Sequence, residues 1–266
     1  MERFLYLCEN SLEGIFSGIY KAYEDRHSHE ENEIRIYTPS FNRELFCRYI
    51  SVETDYDRAC KVARTVQRDI STEAYGFLQK TASSFRPEKA DAIYRFVIEG
   101  LRVGKRVLNH LTAPFMQTLI SIDRHVENEI HHFKEFLRFQ ELENGALFGR
   151  INPRNAILPF LADHFQDRFS MEDWMIADTV HRTVLIHRKN QECICASMEE
   201  VEFDDLDLVF SEEEESMQKL WKLFVDTIAI QQRVNPKLQR QLLPLRFRKY
   251  MNEFHEGQEV SDKSMF

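Results

Sequence analysis

Residues 136–151 read FLRFQELENGALFGRI, and in this stretch the pattern of the chain changes. Before it, from about Tyr56, apolar residues recur every three or four positions, as in amphipathic helices. Within it, two short runs rich in apolar residues flank Asn144-Gly145, a dipeptide typical of a hairpin turn. The change of period predicts an α+β protein that is helix-rich, with several packed helices and a small antiparallel sheet.

The N-terminal segment predicts a strand and a helix ahead of the helical region. Residues 4–7 form a short apolar run, and Ser11 is a good N-cap for the helix that follows. A polar loop at residues 26–33 and a strand at residues 45–52 come next. Pro114 predicts a kink or break in the last part of the helical region.

After the hairpin, the pattern predicts a helix and a second hairpin. Asn155 is expected to cap the helix, and strands are expected at residues 174–177, 184–187 and 192–196. A hairpin, a helix and another hairpin indicate a small antiparallel sheet with a helix packed on one face.

The chain is predicted to contain a core, a linker, a C-terminal arm and a tail. The helical spacing of its large apolar residues, Met217 to Ile228, predicts that the first helix of the arm docks on the core. The parts are an α+β core at 1–197 (helical region 56–134, hairpin-helix-hairpin 136–197), an acidic linker at 198–215, a docking helix and basic arm at 216–250, and a flexible tail at 251–266.

Composition indicates a globular, water-soluble chain. Of its 266 residues 43% are hydrophobic, and 8 Gly and 7 Pro are few for a protein built from many tight turns, which favours helices. No apolar run approaches the roughly 18 residues that a membrane span needs. The five cysteines lack a CxxC spacing, so we expect reduced thiols, a cytoplasmic location and no membrane partner.

The net charge of −9 is local rather than general. Ten acidic residues and no basic one lie between Met198 and Glu215, so the rest of the chain carries a net charge of about +1. The overall acidity therefore does not exclude a nucleic-acid partner. The chain contains no Gly-rich phosphate loop and no GxSxG motif, and we expect no cofactor.

The C-terminal arm carries the clearest functional signal from the residues alone. Cations with interleaved aromatic rings suit phosphate contacts combined with base stacking on single-stranded or opened nucleic acid. An exposed helix face paired with the acidic run would show the same composition. The cations are Arg233, Lys237, Arg240, Arg246, Arg248 and Lys249, and Phe247 and Tyr250 lie among them.

Two smaller groups are candidates for chemistry. Glu129 and His131 lie near the predicted end of a helix and could act as acid and base. Glu129 also shares a helix face with His125 and His132, but the spacing is not HExxH and no fourth ligand is marked, so we expect no metal. Asp178, His181 and Arg182 could bind an anion or could simply be polar surface.

Several blocks of the chain together resemble a known family. They are residues 4–6, 11–16 and 22–24 at the start, the central block 129–139, the blocks 155–169 and 174–178, and the C-terminal blocks 221–230, 235–240 and 244–250. In this order they are similar to a family of bacterial DNA-metabolism proteins that accompany a radical SAM protein or occur fused to a uracil-DNA glycosylase-like domain. The chain departs from the family pattern at Asn128, His132 and His181, where arginine is expected, and at Glu135, where glycine is expected.

The resemblance implies a role in DNA repair or modification, with DNA and a radical SAM protein as partners. Family positions at Glu129, His131, Lys134, Arg138 and Asp178 match. With the resemblance, the leading interpretation is that the basic arm holds DNA, together with Lys134 and Arg138. The region of His131 and Arg138 would line a cleft between the helical part and the small sheet, and Asp178 and His181 are further cleft candidates. One alternative is a hydrolase or glycosylase-like enzyme that uses Glu129 and His131. Another is a protein-binding scaffold that uses the acidic run at 199–215.

Overall fold

The computed structural model describes residues 3–27, 31–37, 44–200 and 208–254. It divides the chain into two compact units, residues 1–128 and residues 129–266, so the predicted core at 1–197 spans parts of both units. The α+β class is confirmed, because helices and two small sheets account for the regular structure. None of the helices in the described ranges has the length and apolar character needed to cross a membrane.

The first unit begins with a three-stranded parallel sheet. Strands β1 (Arg3–Cys8), β2 (Glu31–Ile36) and β3 (Cys47–Ser51) are arranged in the order β2-β1-β3. The central strand β1 is almost wholly apolar and buried, as expected for a strand covered on both faces. Helix α1 (Leu12–Glu24) connects β1 to β2, and the Ser11 side chain caps it by accepting a hydrogen bond from the Gly14 amide at 3.0 Å.

Helices make up the rest of this unit and pack around one apolar core. A π-helical turn at Val66–Ile70 and 3-10 turns at Asp25–His27 and Gly104–Asn109 interrupt or extend them. The helices are α2 (Tyr56–Thr65), α3 (Thr72–Ala82), α4 (Lys89–Val103) and α5 (Pro114–Phe136), and α5 continues from Glu129 into the second unit.

Two predictions for the first unit need correction. The predicted loop at residues 26–33 is wrong from Glu31 onward, where β2 begins, because the polar residues Glu31, Asn32 and Glu33 precede the two buried isoleucines of an edge strand. Pro114 neither kinks nor breaks a helix. It is the first residue of α5, where a missing backbone N–H costs nothing.

The second unit contains a five-stranded sheet in the order β4-β5-β6-β7-β8. The predicted hairpin is confirmed, with β4 antiparallel to β5 and Gly145 in a left-handed conformation at φ +80°. The sheet is mixed rather than antiparallel, because β5 and β6 run parallel. The strands are β4 (Phe139–Glu141), β5 (Leu147–Ile151), β6 (Trp174–Asp178), β7 (Thr183–His187) and β8 (Ile194–Ser197).

The connection between β5 and β6 explains the parallel pair. It contains a 3-10 turn at Leu158–Leu161 and helix α6 (Ala162–Arg168), and a helical crossover returns the chain to the same end of the sheet. Asn155 is not the cap of this helix as predicted. Its buried side chain instead donates a hydrogen bond to Glu129.

The C-terminal part of the unit is helical. Helix α7 (Glu212–Ile228) begins at the Ser211 cap, α8 (Pro236–Leu242) begins at the Asn235 cap, and 3-10 turns follow at Leu245–Tyr250 and Asn252–Phe254. The expectation that α7 docks through its apolar residues is wrong for most of them in the described part of the chain. Val225 is half-buried, whereas the others remain exposed, namely Met217, Leu220, Trp221, Phe224 and Ile228. Much of the predicted linker (201–207) and tail (255–266) lies outside the described residues.

Candidate nucleic-acid interface

A basic cavity of about 810 Å³ lies in the second unit. Its volume falls in the range of clefts that hold small molecules and cofactors. Five of its lining side chains are cations and one is a carboxylate, so the cavity favours an anionic ligand. The lining residues are Arg138, Gln140, Arg150, Phe210, Glu215, Gln218, Lys219, Lys222, Lys249 and Tyr250.

The hairpin brings two arginines to the same wall of this cavity. Phe139 pairs with Gly149 and Gln140 with Phe148, so the same antiparallel register sets Arg138 opposite Arg150. Like charges directly opposite one another on a sheet are unfavourable unless something compensates them. Arg138 is partly compensated by an ion pair with Glu253 at 2.9 Å.

The opposite wall is the polar side of α7, which is tied to the hairpin at its start. The Ser211 amide donates to the Glu141 carbonyl at 3.0 Å, and the Glu141 amide donates to the Glu214 carboxylate at 3.1 Å. Because the first turn is fixed in this way, Lys219 and Lys222 are both placed along the cavity. Spacings of three and four residues put side chains on one helix face, which explains their common direction.

The 3-10 turn Leu245–Tyr250 closes the cavity. Phe247 anchors the turn, since its buried ring stacks on His132 at 4.7 Å between centroids and meets Phe133 edge-on at 5.0 Å. This anchoring places Lys249 and Tyr250 at the cavity, with the Lys249 ammonium 5.1 Å from the Tyr250 ring centroid. His132 therefore has a packing role in this chain.

Glu129 is buried in a complete hydrogen-bond network. Its carboxylate accepts the backbone amides of Arg154 at 3.0 Å and Asn155 at 2.9 Å, the Asn155 side-chain amide at 2.6 Å, and the Arg246 guanidinium at 2.7 Å. Its side chain is 1% exposed. An anion with four donors in a buried place holds neighbouring chain segments together.

The structure does not bring Glu129 and His131 together as an acid–base pair. They lie two positions apart on α5, so they point to different sides of the helix. The His131 side chain is 68% exposed and lies 3.0 Å from the carboxylate of Glu135. Neither residue lines the basic cavity.

The predicted DNA-binding cations have different surroundings. Arg246 pairs with Glu129, and Arg248 donates to the Leu243 carbonyl at 3.0 Å, so both stabilise the C-terminal turn. Lys134 is half-buried. Burial lowers the pKa of His164, and the nearby charges of Lys134 and Arg168 lower it further. The exposed cations of the arm are Arg233, Lys237, Arg240 and Lys249, of which Lys249 lines the cavity.

Asp178 and His181 form a turn rather than a wall of the cavity. Asp178 is buried, and its carboxylate accepts the amides of Val180 at 2.9 Å and His181 at 3.0 Å. The imidazole of His181 contacts the same carboxylate at 2.7 Å. These bonds hold the connection between β6 and β7. Thr179 in this turn lies 3.4 Å from the Tyr250 hydroxyl, which joins the turn to the residue that borders the cavity.

Sequence reasoning found only part of the cavity. It identified Arg138, Lys249 and Tyr250. It missed Arg150, Lys219 and Lys222, because these cations lie outside the basic run of the arm and belong to no motif. The predicted hairpin held a usable signal, because its register implies that position 150 lies opposite 138. Over the part of the chain that the structure describes, no three His, Cys, Asp or Glu side chains gather as a metal site.

The fold and the cavity together define an α+β protein with a basic, ligand-sized cleft in its second unit. Residues 87–253 match the model of DUF4130, a domain of unknown function, so the chain belongs to that family. Comparison with curated proteins gave no significant match. One solved structure, described as a DHH domain of a member of the s1p family of ribosomal proteins, aligns at 10% identity over 71% of this chain and 74% of its own, with a TM-score of 0.29.

Proposed function

We propose that this protein binds DNA, with an unpaired nucleotide in the basic cavity, and serves as an accessory to an enzyme that repairs or modifies DNA. The observation that carries the proposal is the cavity itself, with five cations, one carboxylate and two aromatic side chains, Phe210 and Tyr250, around about 810 Å³. Cations that follow a phosphate backbone and rings that stack on bases are the two elements of single-strand recognition.

The exposed cations of the arm extend this charge beyond the cavity. Arg233, Lys237 and Arg240 carry exposed side chains and lie within the twenty residues before Lys249. They would contact phosphates adjacent to the bound nucleotide, and each contact would add to the affinity through counterion release. Arg246 and Arg248 have no part in this surface, because their guanidinium groups stabilise the turn itself.

The accessory role and the partner rest on the sequence resemblance. It supports a radical SAM enzyme as the protein that performs the chemistry on the DNA. The network around Glu129 fits the same proposal, because its four donors give the carboxylate a structural task. Co-purification of tagged protein with the radical SAM protein of the same cell tests this part. If the radical SAM protein elutes in equal amounts from the tagged sample and from an untagged control, the result would count against the partnership.

Fluorescence anisotropy with labelled single-stranded and duplex oligonucleotides tests DNA binding. The cavity variant is Lys219→Ala/Lys249→Ala, and the matched control is Arg188→Ala/Lys189→Ala, which removes two exposed cations from the loop between β7 and β8. We expect single-strand affinity to fall as salt rises. If both cavity lysines contact phosphates, the log–log slope of the cavity variant should be smaller by about 1.4, at roughly 0.7 per contact.

The control variant should keep the slope and the affinity of the unaltered protein. Equal binding by the cavity and control variants would overturn the assignment of the cavity. Absence of binding to either form of DNA at low salt would overturn direct DNA contact altogether. The arm is tested separately with Arg233→Ala/Lys237→Ala/Arg240→Ala, which we expect to lower the slope without removing the preference for single strands.

A further inference from the structure

Helix α7 presents its polar side to its own unit and its apolar side to solvent. The half-buried positions Glu214, Gln218 and Lys222 recur at intervals of four, which places them along one side of the helix. Another side carries an apolar stripe whose side chains are 44–61% exposed. The stripe consists of Met217, Trp221, Phe224 and Ile228.

The orientation of α7 is opposite to the usual one. An amphipathic helix of a globular protein normally buries its apolar stripe and exposes its polar face. Large contiguous apolar patches are rare on the surfaces of monomeric soluble proteins, and where they occur they commonly mark interaction sites. No side chain within the described ranges reduces the exposure of these four residues below 44%.

We infer that the apolar stripe of α7 pairs with the same stripe of a second copy of this chain, with the two helices antiparallel about a two-fold axis. The spacing of the stripe along the sequence is the first observation that supports this pairing. The intervals along the stripe are four, three and four, and this order is the same in both directions. An antiparallel pair therefore sets Met217 opposite Ile228 and Trp221 opposite Phe224, in a seam of coiled-coil spacing.

The distribution of charge carries the second argument. All four residues of the first turn of α7 are glutamates, and the segment after the helix contains Arg233, Lys237 and Arg240. The last turn of α7 itself carries no basic residue, so these cations belong to the segment that follows the helix. An antiparallel arrangement brings the acidic first turn of each helix to the end of the other helix from which this basic segment continues. The same charges would repel in a parallel pair, so the pattern favours the two-fold arrangement.

The available area is sufficient for such a contact. Apolar side chains of this size bury about 150–250 Å² each, so about half of that remains exposed on each member of the stripe. The stripe and the neighbouring Leu220 then offer roughly 400–600 Å² per copy. A pair would bury about 800–1,200 Å², which is the size of weak, transient interfaces and predicts a reversible dimer.

Sedimentation velocity of the full chain over a range of concentrations tests the inference. We expect reversible dimers for the unaltered protein and for Leu223→Glu, which introduces the same charge at an exposed position off the stripe. Phe224→Glu should raise the dissociation constant at least tenfold. A protein that is monomeric at every concentration overturns the inference, and so does a Phe224→Glu protein that dimerises as well as Leu223→Glu.

A charge exchange tests the antiparallel arrangement. Glu212→Lys/Glu213→Lys and Arg233→Glu/Lys237→Glu should each weaken the dimer, and the protein carrying all four changes should recover it. Failure of the combined variant to recover overturns the two-fold pairing.

Acrylamide quenching of Trp221 fluorescence in Trp174→Phe protein, measured on dilution, identifies what covers the stripe. Quenching should increase as dimers dissociate, whereas a monomer with Trp221 already shielded would mean that the chain covers its own stripe, and would refute the inference.

Discussion

The ion pair between Arg246 and Glu129 offers a sharp test of how the second unit is held together. Arg246→Ala removes one of four donors from a carboxylate whose side chain is 1% exposed. The other three donors, two backbone amides and the Asn155 side chain, remain. The substitution therefore leaves a buried negative charge without its only cationic partner among the described contacts.

The expected cost follows from the geometry. Removing one partner of a fully buried ion pair destabilises a protein by about 3–5 kcal/mol. The Arg246 side chain is 35% exposed, so water already screens part of its attraction, and three remaining hydrogen bonds keep the carboxylate solvated by protein. We therefore expect Arg246→Ala to lower the free energy of unfolding by about 2–3 kcal/mol. Arg240→Ala, at an exposed position of α8, should change it by less than about 0.5 kcal/mol.

Both tryptophans lie in the second unit, so fluorescence-detected urea unfolding reports on this unit. A double-mutant cycle of Arg246→Ala and Glu129→Gln isolates the pair, and we expect a coupling of about 1–3 kcal/mol. Glu129→Gln should itself be costly, because its amide NH₂ would face N–H donors. If Arg246→Ala unfolds within 0.5 kcal/mol of the unaltered protein, the network does not hold the unit together and the reasoning is refuted.

Three further predictions concern other parts of the chain. Burial lowers the pKa of Lys89 to about 8, so between pH 8 and its ordinary value of 10.5 the unfolded chain binds more protons and stability rises with pH by up to about 3 kcal/mol. Urea unfolding by circular dichroism should show this rise relative to Lys89→Met, and parallel pH profiles would contradict it. Tyr250→Ala should weaken single-strand binding in the anisotropy assay by about 1–3 kcal/mol while Tyr250→Phe does not, and equal losses would exclude stacking. Gly145→Ala should lower the free energy of unfolding by about 1 kcal/mol, measured by fluorescence-detected urea unfolding. The cost comes from the φ of +80° alone, because the added methyl group meets no atom within 4 Å. An unchanged unfolding midpoint would argue against the hairpin turn as described.

The sequence was sufficient to predict most elements but not the direction of every strand. The change of period and the Asn144-Gly145 turn predicted the hairpin because both are local properties. The parallel pairing of β5 with β6 depends on where the crossover through α6 returns the chain, which periodicity does not encode. Strand β2 was missed for a related reason. Only Ile34 and Ile36 of this edge strand belong to the core, and two apolar residues are too few to mark a strand.

Only part of the candidate site could be predicted, because its residues come from distant segments of the chain. The basic arm was visible as a run, yet Arg246 and Arg248 within it serve the fold rather than the cavity. A charge count cannot distinguish a cation that faces a ligand from one that faces a buried carboxylate or a carbonyl. Substitution of Arg246, Arg248 and Lys249 together would therefore confuse loss of stability with loss of binding, and Lys219 and Lys249 are the better pair to change.

Helix α7 shows why hydrophobic spacing alone gave the wrong orientation. Periodicity identifies the apolar face of a helix, but it does not say whether that face meets the same chain or another one. Here the start of the helix is fixed by the Glu141–Glu214 and Glu141–Ser211 hydrogen bonds, and these bonds turn the polar side toward the cavity. In this orientation Lys219 and Lys222 face the cavity, and the apolar stripe on the other side of the helix faces outward. The proposed DNA cavity and the proposed dimer thus depend on the same helix orientation. The variants Lys219→Ala/Lys249→Ala and Phe224→Glu test them separately, because the first changes only the cavity and the second changes only the stripe.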